Sequence, residues 1–180
     1  MKRIVSALLA LLLVVGCIFT LTGCDSADKD KDENKKPVIP SGYLEYKNEA
    51  ISFAYPEGWT KQDGSVTILS DAATGNNITV VYEAKTDMYE KMTVDEFDST
   101  LKPQMEAAGL SISNVSIKKE KTNNLDLVKI AFDTVAMGIT MKQTLLVATV
   151  GERTYTVSVT ETKSDSALLS NVVKTLYGLK

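Results

Sequence analysis

The chain contains no histidine, and its only cysteines are Cys17 and Cys24. Histidine is the usual general base and a common transition-metal ligand, so its absence argues against both kinds of site. Both cysteines lie in the N-terminal apolar stretch, so no disulfide, thiol nucleophile or Cys/His zinc site is available after residue 24. The chain also lacks a glycine-rich phosphate loop, and its formal net charge of -3 gives no reason to expect nucleic acid. We therefore expect no cofactor, no resident metal and no enzymatic activity.

The first 23 residues have the pattern of a secretory signal peptide. Lys2 and Arg3 precede an apolar stretch from Ile4 to Leu21. The segment Leu21-Thr22-Gly23-Cys24 then matches the lipobox of bacterial lipoproteins, in which small residues admit the peptidase and the cysteine thiol takes a diacylglycerol. This pattern predicts cleavage before Cys24 and a lipid anchor on it, which would hold the protein on the extracytoplasmic face of the cell membrane.

Two alternatives remain open for this segment. Val14-Val15-Gly16-Cys17 also fits the lipobox, although processing there would leave the apolar Ile18-Phe19-Thr20-Leu21 in the mature chain. The segment could instead stay uncleaved as a membrane anchor, since its apolar stretch lies near the lower length limit for a span. Each alternative keeps the following domain on a membrane, facing outward.

Residues 24–42 are predicted to be the lipidated cysteine and a disordered tether. The stretch Asp25–Pro40 reads DSADKDKDENKKPVIP and has too little apolar content to offset the entropy of ordering it. Asp28, Asp30 and Asp32 resemble the start of a calcium loop, but the glycine and glutamate that such a loop needs are missing. The predicted organisation is a signal peptide (1–23), a tether (24–42) and a globular domain (43–180).

Strand patterns dominate the globular domain. Thr154–Thr160 and Val128–Phe132 alternate apolar and polar residues, and Ile139–Val150 is a longer strand whose apolar residues predict a central position. Asn123-Asn124 and Gly151-Glu152-Arg153 are predicted turns between strands.

Two helices accompany these strands. Thr93-Val94-Asp95-Glu96 is a capping box, and the helix that follows is expected to kink or split at Pro103 and to stop at Gly109. A second helix is predicted from Asp165 to Tyr177. Because strands outnumber helices and most connections are typical of hairpins, the pattern indicates an α+β fold with an antiparallel β-sheet.

The segment Phe53-Ala54-Tyr55-Pro56-Glu57-Gly58-Trp59, with Val66–Leu69 and Asn77–Val80 after it, resembles the opening of the PsbP-like family. Gln143 in a long strand, a glycine turn and Tyr155–Val159 extend the resemblance, which covers Tyr43 to Leu179. It implies an antiparallel β-sheet sandwiched between helices, an α/β/α fold. Members of the family, including bacterial lipoproteins of DcrB type, are mostly binding or assembly modules, and no metal ligand set can be carried over.

Five side chains are candidates for a binding surface. Tyr55 and Trp59 flank a Pro-Glu-Gly turn, and Met88, Tyr89 and Met92 precede the capped helix, where they could line an apolar groove. Ordinary packing is the alternative for both sets, because turn aromatics often enter the core and methionine fills irregular gaps.

The sequence favours a membrane-anchored extracytoplasmic lipoprotein that acts as a non-enzymatic binding or assembly module for a protein or envelope partner. The alternative is a small-ligand carrier or transport accessory lipoprotein, and a hydrolase built on carboxylates alone is a third hypothesis without a supporting motif. A cavity of roughly 300 Å³ or more lined by aromatic side chains would favour the carrier.

Overall fold

The computed structural model describes residues 36–179. The strands in this part of the chain are β1 (Tyr43–Lys47), β2 (Ile51–Pro56), β3 (Thr60–Gln62), β4 (Thr67–Ser70), β5 (Asn77–Ala84), β6 (Ser111–Thr122), β7 (Leu125–Ala136), β8 (Ile139–Val150), β9 (Arg153–Glu161) and β10 (Tyr177–Gly178). The helices are α1 (Met88–Lys91), α2 (Val94–Thr100), α3 (Lys102–Ala107) and α4 (Leu168–Thr175).

The predicted signal peptide, Cys24 and most of the predicted tether lie outside the described residues. Within residues 36–179, none of the helices is both long and apolar enough to cross a membrane.

Seven strands form one antiparallel sheet in the order β3-β4-β5-β9-β8-β7-β6. The middle strand is β9, and β8, for which the apolar pattern predicted a central position, is the interior strand beside it and pairs with β7 and β9 along most of its length. A Met137-Gly138 turn joins β7 to β8, and a Gly151-Glu152 turn joins β8 to β9. These two turns therefore lie at opposite ends of the sheet. We call the end with Met137 the tip end and the end with Glu152 the groove end.

One face of the large sheet packs against a second, three-stranded sheet in the order β1-β2-β10, together with α4. The strand β2 is buried from Ile51 to Tyr55, because it lies in the middle of the small sheet and is covered on both sides. Thr175 of α4 accepts a hydrogen bond from the buried backbone N–H of Ala54, at 2.8 Å. Helix α4 thereby satisfies a strand donor that β10 is too short to reach.

The opposite face of the large sheet packs against the three short helices α1, α2 and α3. Phe97 of α2 lies against Phe132 of β7, with ring centroids 5.5 Å apart. Tyr89 and Met105 are buried in the same apolar cluster, over Ile130 and its neighbours on β7 and β8. The large sheet thus has two separate cores, one on each face.

The prediction of a sheet sandwiched between helices is wrong. Strands account for 51% of the described residues and helices for 17%, and a second sheet takes much of the place that the α/β/α arrangement gives to helices. The physical reason lies in β2 and β10. Ile51–Tyr55 is apolar enough to be buried on both sides, so it becomes the middle of a small sheet. Its partner Tyr177–Gly178 supplies the third strand, although the sequence assigned Tyr177 to the end of a helix.

Several local predictions are confirmed. The capping box is formed, since the Thr93 hydroxyl accepts from the Glu96 backbone N–H and Glu96 accepts from that of Thr93. The helix after it splits into α2 and α3, with Pro103 in the first turn of α3. The last helix is shorter than predicted, from Leu168 to Thr175, and the Asp165 carboxylate accepts the N–H groups of Ala167 and Leu168 just before it.

Candidate functional site

A groove of about 530 Å³ opens at the groove end, beside α1, on the face that the three short helices cover. Val128 and Val147 belong to the sheet beneath it, and the rest of its lining is mostly polar. We call this the helix groove; its lining residues are Thr86, Tyr89, Glu90, Lys119, Glu120, Lys121, Asp126, Leu127, Val128, Val147, Ala148, Thr149 and Thr154.

Threonine hydroxyls hold one wall of the helix groove in place. The buried Thr154 accepts a hydrogen bond from the Thr86 backbone N–H at 3.1 Å, and its hydroxyl also lies 3.3 Å from that of Thr149. The Thr86 hydroxyl in turn accepts from the backbone N–H of Met88 at 3.2 Å. The segment that leads into α1 is therefore fixed to β9, and with it the position of Tyr89.

Tyr89 forms the buried end of the helix groove. Its side chain is only 3% exposed and faces the carboxylate of Glu83 on β5. Burial raises the pKa of the Tyr89 phenol above its ordinary value, and the nearby Glu83 carboxylate raises it further. Burial also raises the pKa of Glu83, although the nearby Tyr89 hydroxyl opposes this. The phenol stays protonated and serves as a donor, because it faces a carboxylate in a partly desolvated environment.

The edge strand β6 flanks the helix groove. It is the last strand of the large sheet, so its outer main-chain groups between Lys118 and Thr122 have no strand partner in the described part of the chain. Lys119 and Lys121 lie along this edge, and Lys121 pairs with Asp126 at 3.2 Å. Lysines on an edge oppose pairing with a second copy of the same strand. The outer edge of β6 is therefore unpaired within residues 36–179.

A second groove, of about 320 Å³, lies at the groove end on the opposite face of the sheet. Tyr46 of the small sheet and Tyr82 and Tyr155 of the large sheet line it, so we call it the tyrosine groove. The Tyr82 and Tyr155 rings are 5.6 Å apart between centroids, and Tyr82 is 55% exposed. The Arg153 guanidinium lies 4.5 Å from the centroid of the Tyr82 ring and also pairs with Glu49.

The five candidate binding residues fall on opposite faces of the large sheet. Tyr55 is buried and Trp59 half-buried in the core beneath the small sheet, whereas Met88, Tyr89 and Met92 belong to the cluster beneath the short helices. The two sets therefore do not form one surface. Of the five, Tyr89 is the one that lines the helix groove.

The sequence interpretation missed Tyr46, Tyr82 and Tyr155. Tyr82 and Tyr155 belong to alternating strand patterns, which identify a strand but do not say that two distant strands pair. They meet because β5 and β9 are neighbours with Tyr82 directly opposite Tyr155. Within residues 36–179, no three acidic side chains come close enough together to hold a metal ion.

Comparison with known proteins adds little to this picture. Among solved structures, the chain is similar to a protein from Bacteroides thetaiotaomicron, with 18% identity and a TM-score of 0.48 over 72% of this chain and 45% of the other. It therefore spans less than half of that protein. It is also similar to a protein of unknown function from Pseudomonas aeruginosa, with 13% identity and a TM-score of 0.34 over 67% and 83% of the two chains. Scores this low carry no argument about fold or function. No protein-family model and no curated protein matches the chain.

Proposed function

We propose that the protein is a membrane-anchored extracytoplasmic lipoprotein that acts as a non-enzymatic binding module. In this proposal a diacylglyceryl group on Cys24 attaches the chain to the outer face of the cell membrane. The helix groove then receives a segment of a protein or envelope partner. The observation that carries the binding role is the combination of the helix groove with the open edge of β6.

The support for the anchor comes from the sequence. A positive N-terminus, an apolar stretch, the Leu21-Thr22-Gly23-Cys24 box and a charged linker follow one another in the order that lipoprotein export requires. Each of these four features is common on its own, but their occurrence together in this order is a specific signal of a lipoprotein.

The support for the binding role comes from the geometry of the helix groove. Its volume lies within the range of about 300–1,000 Å³ for ligand pockets. It has an apolar floor, a wall of threonine hydroxyls and the open edge of β6. An extended segment of a partner chain can pair its main chain with such an edge while its side chains enter the groove. The rim residues Glu90, Lys119 and Asp126 carry both charge signs, so shape and main-chain pairing contribute more than net charge.

The anchor is tested by metabolic labelling of the full chain with a radioactive fatty acid, with Cys24→Ser as the control. We expect label on the wild-type chain and none on the variant, and we expect globomycin to block maturation. Equal labelling of the two chains, or none on either, would contradict the anchor.

The helix groove is tested by replacing Lys119 with a photo-crosslinking amino acid in cells that produce the protein. Lys118 is the matched control, because it is the adjacent exposed residue on the same strand and points to the other face of the sheet. We expect one discrete crosslinked species from position 119 and none from position 118. The same products from both positions, or none from either, would contradict binding in this groove.

A second candidate function is favoured by the tyrosine groove. Its volume of about 320 Å³ and its three tyrosines fit a small ring-bearing ligand, as a carrier or transport accessory lipoprotein would need. Mass spectrometry of molecules that co-purify with the full chain tests this function. A ligand that is lost from Tyr82→Ala but kept by Tyr43→Ala, a tyrosine outside the groove, would support the carrier. Its retention by both variants would count against it.

A further inference from the structure

Three exposed apolar side chains lie within five residues at the β7–β8 hairpin. Met137 is 100% exposed, and Val135 and Ile139 on either side of the turn are 36% and 47% exposed. We call these three side chains the apolar tip. Only four other large apolar side chains of the described residues are comparably exposed, so the apolar tip is the main concentration of such surface along residues 36–179.

The backbone at the apolar tip does not favour a methionine. Met137 has φ +51°, in the left-handed region where a side chain is disfavoured. The other non-glycine residues with positive φ in the described chain are Asn114 and Asn123. Asparagine tolerates this conformation because its short amide bonds locally, whereas methionine has no such compensation. An apolar residue held in a strained and fully exposed position suggests a binding role for the side chain.

The turn of the apolar tip extends beyond β9, and on the other side β6 begins at Ser111, opposite Val135. On one side β9 ends at Glu161, which lies opposite Lys142 of β8. Ile139 is three residues further along β8, which corresponds to about 10 Å at the rise of an antiparallel strand. The turn is therefore free to reach a surface without rearrangement of the sheet.

The described chain enters the domain from the same end. The carbonyl of Gly42 accepts a hydrogen bond from the Glu57 N–H at 2.9 Å, and after Glu57 the chain passes directly into β3. There Thr60 pairs with Ser70, at the tip end of the sheet. The opposite turn of the small sheet lies at the groove end, where Glu49 pairs with Arg153.

The distance from the proposed anchor is short. Lys36 pairs with Glu45 of β1, so the first described residue stays close to the small sheet. Twelve residue-to-residue steps join Cys24 to Lys36, and even a fully extended chain of that length spans at most about 43 Å. Val38, 88% exposed, adds a further apolar side chain to the segment that leads from the anchor.

We propose that the apolar tip is a membrane contact: Met137, with Val135 and Ile139, enters the outer surface of the bilayer to which Cys24 attaches the chain. The inference rests on the proposed lipid anchor. A bilayer is the occupant that these observations favour, because the anchor holds it within reach of the tip end. The contact turns the groove end outward, so the helix groove and the tyrosine groove face the extracytoplasmic space.

The test uses the full chain, produced with its lipid and reconstituted into phosphatidylcholine–phosphatidylglycerol vesicles. Met137→Cys is labelled with an environment-sensitive fluorophore, and some vesicles contain nitroxide-bearing lipids. Glu152→Cys is the matched control, because it occupies the turn at the other end of the same strand β8. Mass spectrometry of the N-terminal peptide establishes whether Cys24 carries lipid.

We expect blue-shifted emission and several-fold stronger nitroxide quenching at position 137 than at position 152. Lipid on Cys24 with equal quenching at both positions would overturn the membrane contact and leave the proposed anchor standing. An N-terminal peptide without lipid would overturn both. Protection of position 137 in cells but not in pure lipid vesicles would mean that a protein covers the apolar tip, and would overturn the proposal as well.

Discussion

Replacing Met137 by asparagine should make the protein more stable. Met137 has φ +51° in a two-residue turn, and its side chain is fully exposed, so it contributes no packing to the folded state. Asparagine is among the few residues that enter this region readily, and Asn123 does so at the turn between β6 and β7. The substitution therefore relieves backbone strain without removing a contact.

The size of the effect follows from the cost of the left-handed conformation. An L-residue pays roughly 1–2 kcal/mol there, and asparagine recovers part of it, so we expect a gain of about 1 kcal/mol in the free energy of unfolding. For a domain of this length, that gain corresponds to a rise of about 3–4 °C in Tm.

Thermal unfolding followed by fluorescence measures this rise, since Trp59 is the single tryptophan and packs against the core beneath the small sheet. Glu152→Asn, in the turn at the opposite end of β8, controls for general effects of a surface asparagine and should leave Tm nearly unchanged. An unchanged or lower Tm for Met137→Asn would refute the reasoning, because it would mean that Met137 makes a stabilising contact or that its backbone is not strained.

The same substitution should weaken the proposed membrane contact. Burying a fully exposed methionine side chain is worth about 1.5–3 kcal/mol, which exceeds the gain of about 1 kcal/mol that asparagine brings at this position. A methionine that lowers the stability of the free domain can therefore stabilise the domain on a bilayer. A more stable variant with weaker bilayer contact is the combined result that we expect.

Three further predictions concern the core and the helix groove. Thr154→Val keeps the side-chain shape but leaves the Thr86 N–H without its acceptor, so we expect a loss of about 1 kcal/mol in urea unfolding and a proteolytic cut before α1; unchanged cleavage would contradict this role. Gly178→Ala would bring a Cβ within 2.7 Å of Leu125 Cδ2, so we expect a loss of about 1–2 kcal/mol by the same assay, and a neutral effect would mean that the leucine moves freely. Burial raises the pKa of Glu83 in the folded state above its ordinary value of 4.5. The protonated Glu83 carboxyl therefore adds to the stability of the fold below pH 4.5, and this stabilisation is lost as the pH rises through the folded-state pKa. Wild type should therefore lose stability relative to Glu83→Gln between pH 4 and pH 7, and parallel pH profiles would refute this.

The candidate site illustrates the limits of prediction from sequence. Tyr89 was identified because it lies among methionines before a capped helix, and it does line the helix groove. Thr86 and Thr154 were not identified, since a threonine in a strand pattern is ordinary until another segment comes within hydrogen-bond distance. The tyrosine groove likewise depends on Tyr46, which belongs to a different sheet from its neighbours.

The sequence by itself determined the local elements. The capping box at Thr93, the split near Pro103, the interior strand Ile139–Val150 and the turn at Asn123-Asn124 depend on neighbouring residues along the chain, so local patterns predict them. The lipobox at Cys24 is local in the same sense, and the anchor stays a prediction.

Only the tertiary structure decided the layers of the fold and the position of the grooves. The strand β2 pairs with Tyr177–Gly178, more than a hundred residues further along the chain, and this pairing replaces the expected helical layer with a second sheet. The grooves and the apolar tip lie at opposite ends because β8 is a long interior strand whose two turns lie at opposite ends of the sheet. No local pattern encodes such distances, since the free energy that fixes them comes from burying apolar side chains of distant segments against one another.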